Sequence, residues 1–107
     1  MGYDVHISRA EFWAENDAEP IGEDEWLRLV DDDPQLRPDS KNAGYTLWLG
    51  PSKYEDPWFH WSRGNISTKN PDQAIVKKML EIAHRLGARV QGDDGEFYQD
   101  ASEFPDH

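Results

Sequence analysis

Apolar and polar positions alternate at the start of the chain, with Tyr3, Val5 and Ile7 on one side and Asp4, His6 and Ser8 on the other. That two-residue period predicts a half-buried strand over residues 3–9 whose Asp4-His6-Ser8 side faces solvent. A polar loop at 15–20 then leads to a helix over residues 23–30. Trp26, Leu29 and Val30 make its buried stripe, with Leu27 beside them. Ile21 before a Gly22 N-cap and Trp26 at the fourth helical position form a hydrophobic staple, and Glu25 supplies half a capping box. Asp31-Asp32-Asp33-Pro34 ends the helix, because three carboxylates oppose the negative end of its dipole and Pro34 cannot continue it.

Residues 34–43 read as loop, with two prolines and several turn formers. Strands are expected at 45–49, at 57–63 and, after a tight turn at Arg63-Gly64 or Gly64-Asn65, at 66–69. On the middle one, Trp58 and Trp61 face opposite ways, as do Phe59 and His60. Asn70-Pro71-Asp72 is a strong helix start, with Asn70 as N-cap, Pro71 as first helical residue and Asp72 on the positive end of the dipole. Ile75, Met79, Ile82 and Leu86 carry this second helix to Gly87, while Lys77, Lys78, Glu81 and Arg85 point away. Short strands at 88–91 and 96–99 flank a turn at Asp93-Asp94-Gly95, and the last eight residues are expected to fray. The order β-α-β-β-β-α-β-β predicts an α+β fold: one mostly antiparallel sheet with two helices on one face.

Composition sharpens the picture. A chain of 107 residues makes a single domain over residues 1–107. Five Trp, four Tyr and four Phe supply a core in spite of a mean hydropathy of −0.93. No cysteine is present, so neither disulfides nor thiolate metal sites enter. With no signal-peptide layout and no long apolar run, a cytoplasmic location is expected. The net charge of −11 falls in blocks: −9 over residues 1–39, +4 over 40–91 and −6 over 92–107. Nucleic acid and anionic membranes would repel such a chain, whereas a basic protein would be attracted. Three acid-rich segments, 15–25, 31–39 and 93–103, would repel one another if they met at one edge, and a cationic partner would relieve them.

Candidate chemistry is sparse. Asp4, His6 and Ser8 share a strand face, where neighbours stand about 7 Å apart, too far for a Ser-His-Asp relay. Asp4, His6 and His60 would be the ligands of a divalent metal if the first and third strands were neighbours. The Asp31–Asp33 run lacks the alternating ligands of a calcium loop, and Gly92-Asp93-Asp94-Gly95 lacks the Lys and hydroxyl of a phosphate loop. No cofactor is therefore expected. The aromatic cluster Trp48, Tyr54, Trp58, Phe59 and Trp61 serves as core, as anchors of a binding surface, or as a platform for a sugar.

The opening Tyr3-Asp4-Val5-His6-Ile7-Ser8-Arg9-Ala10 resembles the start of a family of small acidic bacterial proteins. Glu25-Trp26-Leu27, Gly64-Asn65-Ile66, Lys69-Asn70-Pro71-Asp72 and the stretch from Leu86 to Glu96 resemble that family too. The likeness covers residues 1–30 and 54–98 and brings no catalytic or binding residue with it. Size, acidity and single-domain build are also similar to immunity proteins, which neutralise a toxin delivered by a neighbouring cell. The expected function is a non-enzymatic module that captures a basic protein, such as a nuclease toxin domain. Glu23, Asp24, Asp31, Asp32 and Asp33 would make the contact, with Trp48 or Trp58 as anchor. The alternatives are a small metal-dependent enzyme or ligand binder using Asp4, His6 and His60, and a homodimer paired through an open sheet edge.

Overall fold

A computed structural model describes residues 3–52 and 55–104. Its elements run β1 (Asp4–Ser8), α1 (Glu23–Asp32), β2 (Leu36–Pro38), β3 (Tyr45–Trp48), β4 (Trp58–Ser62), β5 (Asn65–Lys69), α2 (Gln73–Leu86), β6 (Arg89–Gly92) and β7 (Phe97–Tyr98), closed by a 3₁₀ turn at Ala101–Glu103. Among the described residues all seven strands form one sheet of order β2-β3-β4-β5-β1-β6-β7, every pair antiparallel. The fold is α+β, as the alternation and helical spacing predict.

Register puts the apolar half of each strand on one face. Val5 lies opposite Thr68, Ile7 opposite Ile66 and Val90, and Ile66 opposite Trp61. Both helices pack on this face, where Trp26, Leu29 and Val30 from α1 and Ile75, Val76, Met79, Ile82 and Leu86 from α2 join Val5, Ile7, Phe59, Ile66 and Val90 in a single core. Ile21 and Trp26 are both buried in it, so the staple forms, and the Glu25 carboxylate accepts from Gly22 N at 2.9 Å. The β4–β5 turn is Arg63-Gly64, with φ of 51° and 83°, the left-handed pair that a two-residue hairpin of this twist requires.

Four details depart from the sequence reading. Residues 36–38 form β2 on the sheet edge: Leu36 enters the core, and Pro38, which has no N–H, is tolerated because the edge asks for no further partner. The cap of α2 is Asp72, whose carboxylate accepts from Ile75 N at 2.8 Å. Asn70 instead turns the chain at φ 49° and exchanges hydrogen bonds with the Tyr3 backbone. Phe104 is buried against Tyr98, and its carbonyl accepts from Gln73, so the chain stays packed through residue 104; residues 105–107 lie outside the described set. Lys78, expected to point outward, is 5% exposed.

Candidate functional site

The predicted contact residues separate into three groups. Glu23, Asp24, Asp31 and Asp32 are exposed on the outer side of α1, away from the core. Spacings of three and four residues align Glu23, Asp24, Leu27 and Asp31 along one stripe. Leu27, which helical spacing alone left beside the core, is 52% exposed in the middle of these carboxylates. None of the four carboxylates makes an ion pair among the described residues. The last turn of α1 carries no basic residue, so Asp31 and Asp32 stand against the helix dipole without compensation. Arg28 is the cation within this stretch.

Asp33 does not belong to that surface. Its side chain is 10% exposed and accepts from Lys78 Nζ at 2.7 Å, with Arg85 at 3.7 Å. Burial alone would raise its pKa, but the Lys78 ammonium, the Gln35 N–H and Arg85 outweigh that and hold the carboxyl below its ordinary value. Lys78 also donates to Gln35 Oε1, which lies 3.1 Å away. Trp48 fails as an anchor for a related reason. It fills the core beside Leu36, 6% exposed, with its indole N–H directed at Gln35. The alternation on β3 puts Thr46 and Trp48 inward and Tyr45 and Leu47 outward.

Trp58 does reach the surface, but on the face of the sheet opposite the helices. There it joins Tyr45 and His60: Tyr45 stacks on His60 at 4.4 Å and meets Trp58 edge-on at 5.2 Å. Tyr54 of the expected aromatic cluster lies outside the described residues. Trp61 turns inward and donates its indole N–H to Ile21 O at 2.9 Å.

Asp4, His6 and His60 do not converge. His6 and His60 both face Ser67 across β5, two strand spacings or roughly 10 Å apart. His6 is bonded to Asp93 at 2.9 Å, and Asp93 also accepts from the Asp4 backbone N–H. Among the described residues no group of three His, Asp or Glu side chains is placed to hold a metal ion. The Asp4-His6-Ser8 side is not solvated as expected, since His6 and Ser8 are buried beneath the loop after β1. Trp13 from that loop stacks on His6 at 3.8 Å with planes 7° apart, donates its indole N–H to Asp93 O, and accepts on its carbonyl from Asn65. Gln91 ties the same loop down through Glu11 O and Trp13 N. A tryptophan inside a polar loop was the available signal for this strap.

The three acid-rich segments do not all gather: 15–25 and 31–39 meet only through the ends of α1, and 93–103 lies apart from them. Residues 31–39 include β2 and residues 93–103 include β7, the two opposite edges of the sheet, about 29 Å apart at ~4.8 Å per strand. The segment 15–25 lies by the β4–β5 turn, where Asn16 donates to Arg63 O and Ile21 N donates to Gly64 O. At the start of α1 the Glu25 carboxylate accepts from both terminal guanidinium nitrogens of Arg9, at 2.7 and 3.0 Å. This bond, with that from Gly22 N–H, lowers Glu25 from the ordinary 4.5 to about 2. No helix among the described residues is long and apolar enough to cross a membrane. No family model, curated protein or solved structure matches the chain.

Proposed function

We propose that the chain is a protein-binding module and that the outer side of α1 is its contact surface for a basic partner. The observation that carries this reading is the set Glu23, Asp24, Asp31 and Asp32, exposed and without ion pairs among the described residues, around an exposed Leu27. Carboxylates of one sign on a rigid helix steer a cationic protein toward them and raise the encounter rate. Leu27 gives the partner an apolar contact from which charged groups can exclude water. Helix placement also supports the reading: a last turn carrying Asp31 and Asp32 costs stability in the free protein, and a bound cation removes that cost. The likeness to immunity proteins makes a basic toxin domain, such as a nuclease, the partner class of choice. Trp58 belongs to a different surface, across the sheet.

Kinetics with the purified partner test this. Replacing Glu23 and Asp24 by Gln and Asn, and Asp31 and Asp32 by Asn, should lower the association rate by about 10-fold or more and flatten its dependence on ionic strength. An unchanged rate and salt slope would remove α1 as the contact surface.

A further inference from the structure

The face of the sheet that carries no helix holds a concavity of about 710 Å³, within the usual range of small-molecule sites. Its floor is Tyr45 and Trp58, and its wall is the β2–β3 turn with Arg37 at one side. The platform is fixed before any ligand arrives. His60 backs Tyr45 in a parallel stack with planes 11° apart, and Trp58 meets Tyr45 at 78°. The wall is fixed as well. Asp39 accepts from Lys41 N and Asn42 Nδ2, both at 2.9 Å, while Asp39 N donates to Tyr45 O and Tyr45 N to Asn42 O. Gly44, at φ 86°, lets the turn close over His60, whose ring would lie 3.4 Å from any added Cβ. Trp58 also lines a second, smaller hollow of about 290 Å³, shared with Ile75 and with Thr68 and Lys69 at the end of β5.

Charge narrows the ligand. The lining holds Arg37 and Lys41 against Asp39 and Asp56, a balance of zero in a chain of net −11. A polyanion or a polycation would meet as many like charges there as opposite ones. A neutral molecule with one apolar face and hydroxyls around its edge meets both halves of the site. Its C–H face would lie on the aromatic ring, and its hydroxyls would pair with the planar guanidinium, amide and carboxylate groups of the rim. A pyranose ring has that shape. We infer that this concavity is a saccharide-binding site, with Trp58 as the stacking platform and Arg37 and Asn42 as hydroxyl partners. It is independent of the α1 surface, on the other face of the sheet.

Nuclear magnetic resonance titration of the full chain tests it, using cellobiose, maltose, lactose and N,N′-diacetylchitobiose as probes. At least one disaccharide should shift the Trp58 indole and Tyr45 signals in a saturable way at millimolar concentration, leaving α1 signals in place. Trp58→Ala should weaken that titration by about tenfold or more. Arg37→Ala keeps the aromatic floor and should weaken it too, which covers the case that the tryptophan variant fails to fold. The assignment is overturned if none of the four sugars moves Trp58, or if the shifts persist unchanged in both variants. It is equally overturned if an oligoproline peptide saturates the Trp58 signal and the sugars do not, since the concavity would then be a peptide groove.

Discussion

Asp33 and Lys78 show how little a residue's type reveals about its task. Both looked like surface charges, and each is held in the other's reach beneath the surface. Removing the Asp33 carboxylate leaves the Lys78 ammonium in a desolvated place with only Gln35 at 3.1 Å and Glu81 at 3.7 Å among the described residues, which costs more than the pair is worth. Asp33→Ala should therefore lower unfolding free energy by about 3 kcal/mol in urea titration. Replacing both, Asp33→Asn with Lys78→Met, should recover most of that loss. Glu25 makes a prediction about pH. Its carboxyl is held at about 2, below the ordinary 4.5, by Arg9 and the Gly22 N–H. A depressed folded-state pKa means stability that is present above about 4.5 and lost as pH falls toward 2. Glu25→Gln should flatten the acid limb of the melting-temperature profile in that window and have its largest cost near neutrality. The Asp33–Lys78 pair was not legible in sequence, because 45 positions separate the two residues and only packing brings them together. Glu25 was half legible: its spacing from Gly22 gave the cap, but nothing in the sequence named Arg9.

At the scale of elements, α1 carries a conflict between stability and the proposed use of its surface. Asp31 and Asp32 face the negative end of the dipole with no basic residue in the last turn. Asp31→Asn with Asp32→Asn should raise the stability of the free protein by about 0.5–1 kcal/mol in thermal unfolding, while weakening capture of a basic partner. A loss of stability would mean that the two carboxylates have structural partners after all. The same helix shows where sequence periodicity reaches its limit. The spacing of Trp26, Leu29 and Val30 correctly marks the buried stripe, but Leu27, one position from Trp26, could be assigned to core or solvent only by seeing what lies beside it. The long helix α2 was legible through Ile75, Met79, Ile82 and Leu86 and its left-handed Gly87. Its cap was misplaced by two residues because Asn70, a good cap by type, is occupied in turning the chain toward Tyr3. Strand β2 escaped because three residues containing a proline carry no period, and pairing with Thr46–Trp48 alone defines it.

Over the whole molecule, topology decides which charges and aromatics can act together. Inserting β1 between β5 and β6 buries the first strand inside the sheet, and residues 31–39 and 93–103 fall at opposite edges. Three acid-rich stretches that look like one field along the chain therefore split: α1 joins the end of the first to the start of the second, and the third stands at the far edge. Within these stretches Glu25, Asp33 and Asp93 are bound by Arg9, Lys78 and His6. Glu23, Asp24, Asp31 and Asp32, by contrast, have no ion pair among the described residues and stand on one rigid helix, around an exposed Leu27. The alternation of β4 correctly separates Trp58 from Phe59, yet only the sheet order shows that Trp58 and α1 lie on opposite faces. Trp58→Ala should consequently leave capture of a basic partner unchanged. The most direct measurement is a pull-down of cytoplasmic and neighbouring-gene proteins at low and high salt, with wild-type chain beside the variant neutralised at Glu23, Asp24, Asp31 and Asp32. Wild-type protein should retain one basic protein at equal stoichiometry at low salt, lose it at high salt, and lose it in the variant at any salt. Equal retention by both chains, or retention by neither, would contradict capture through α1.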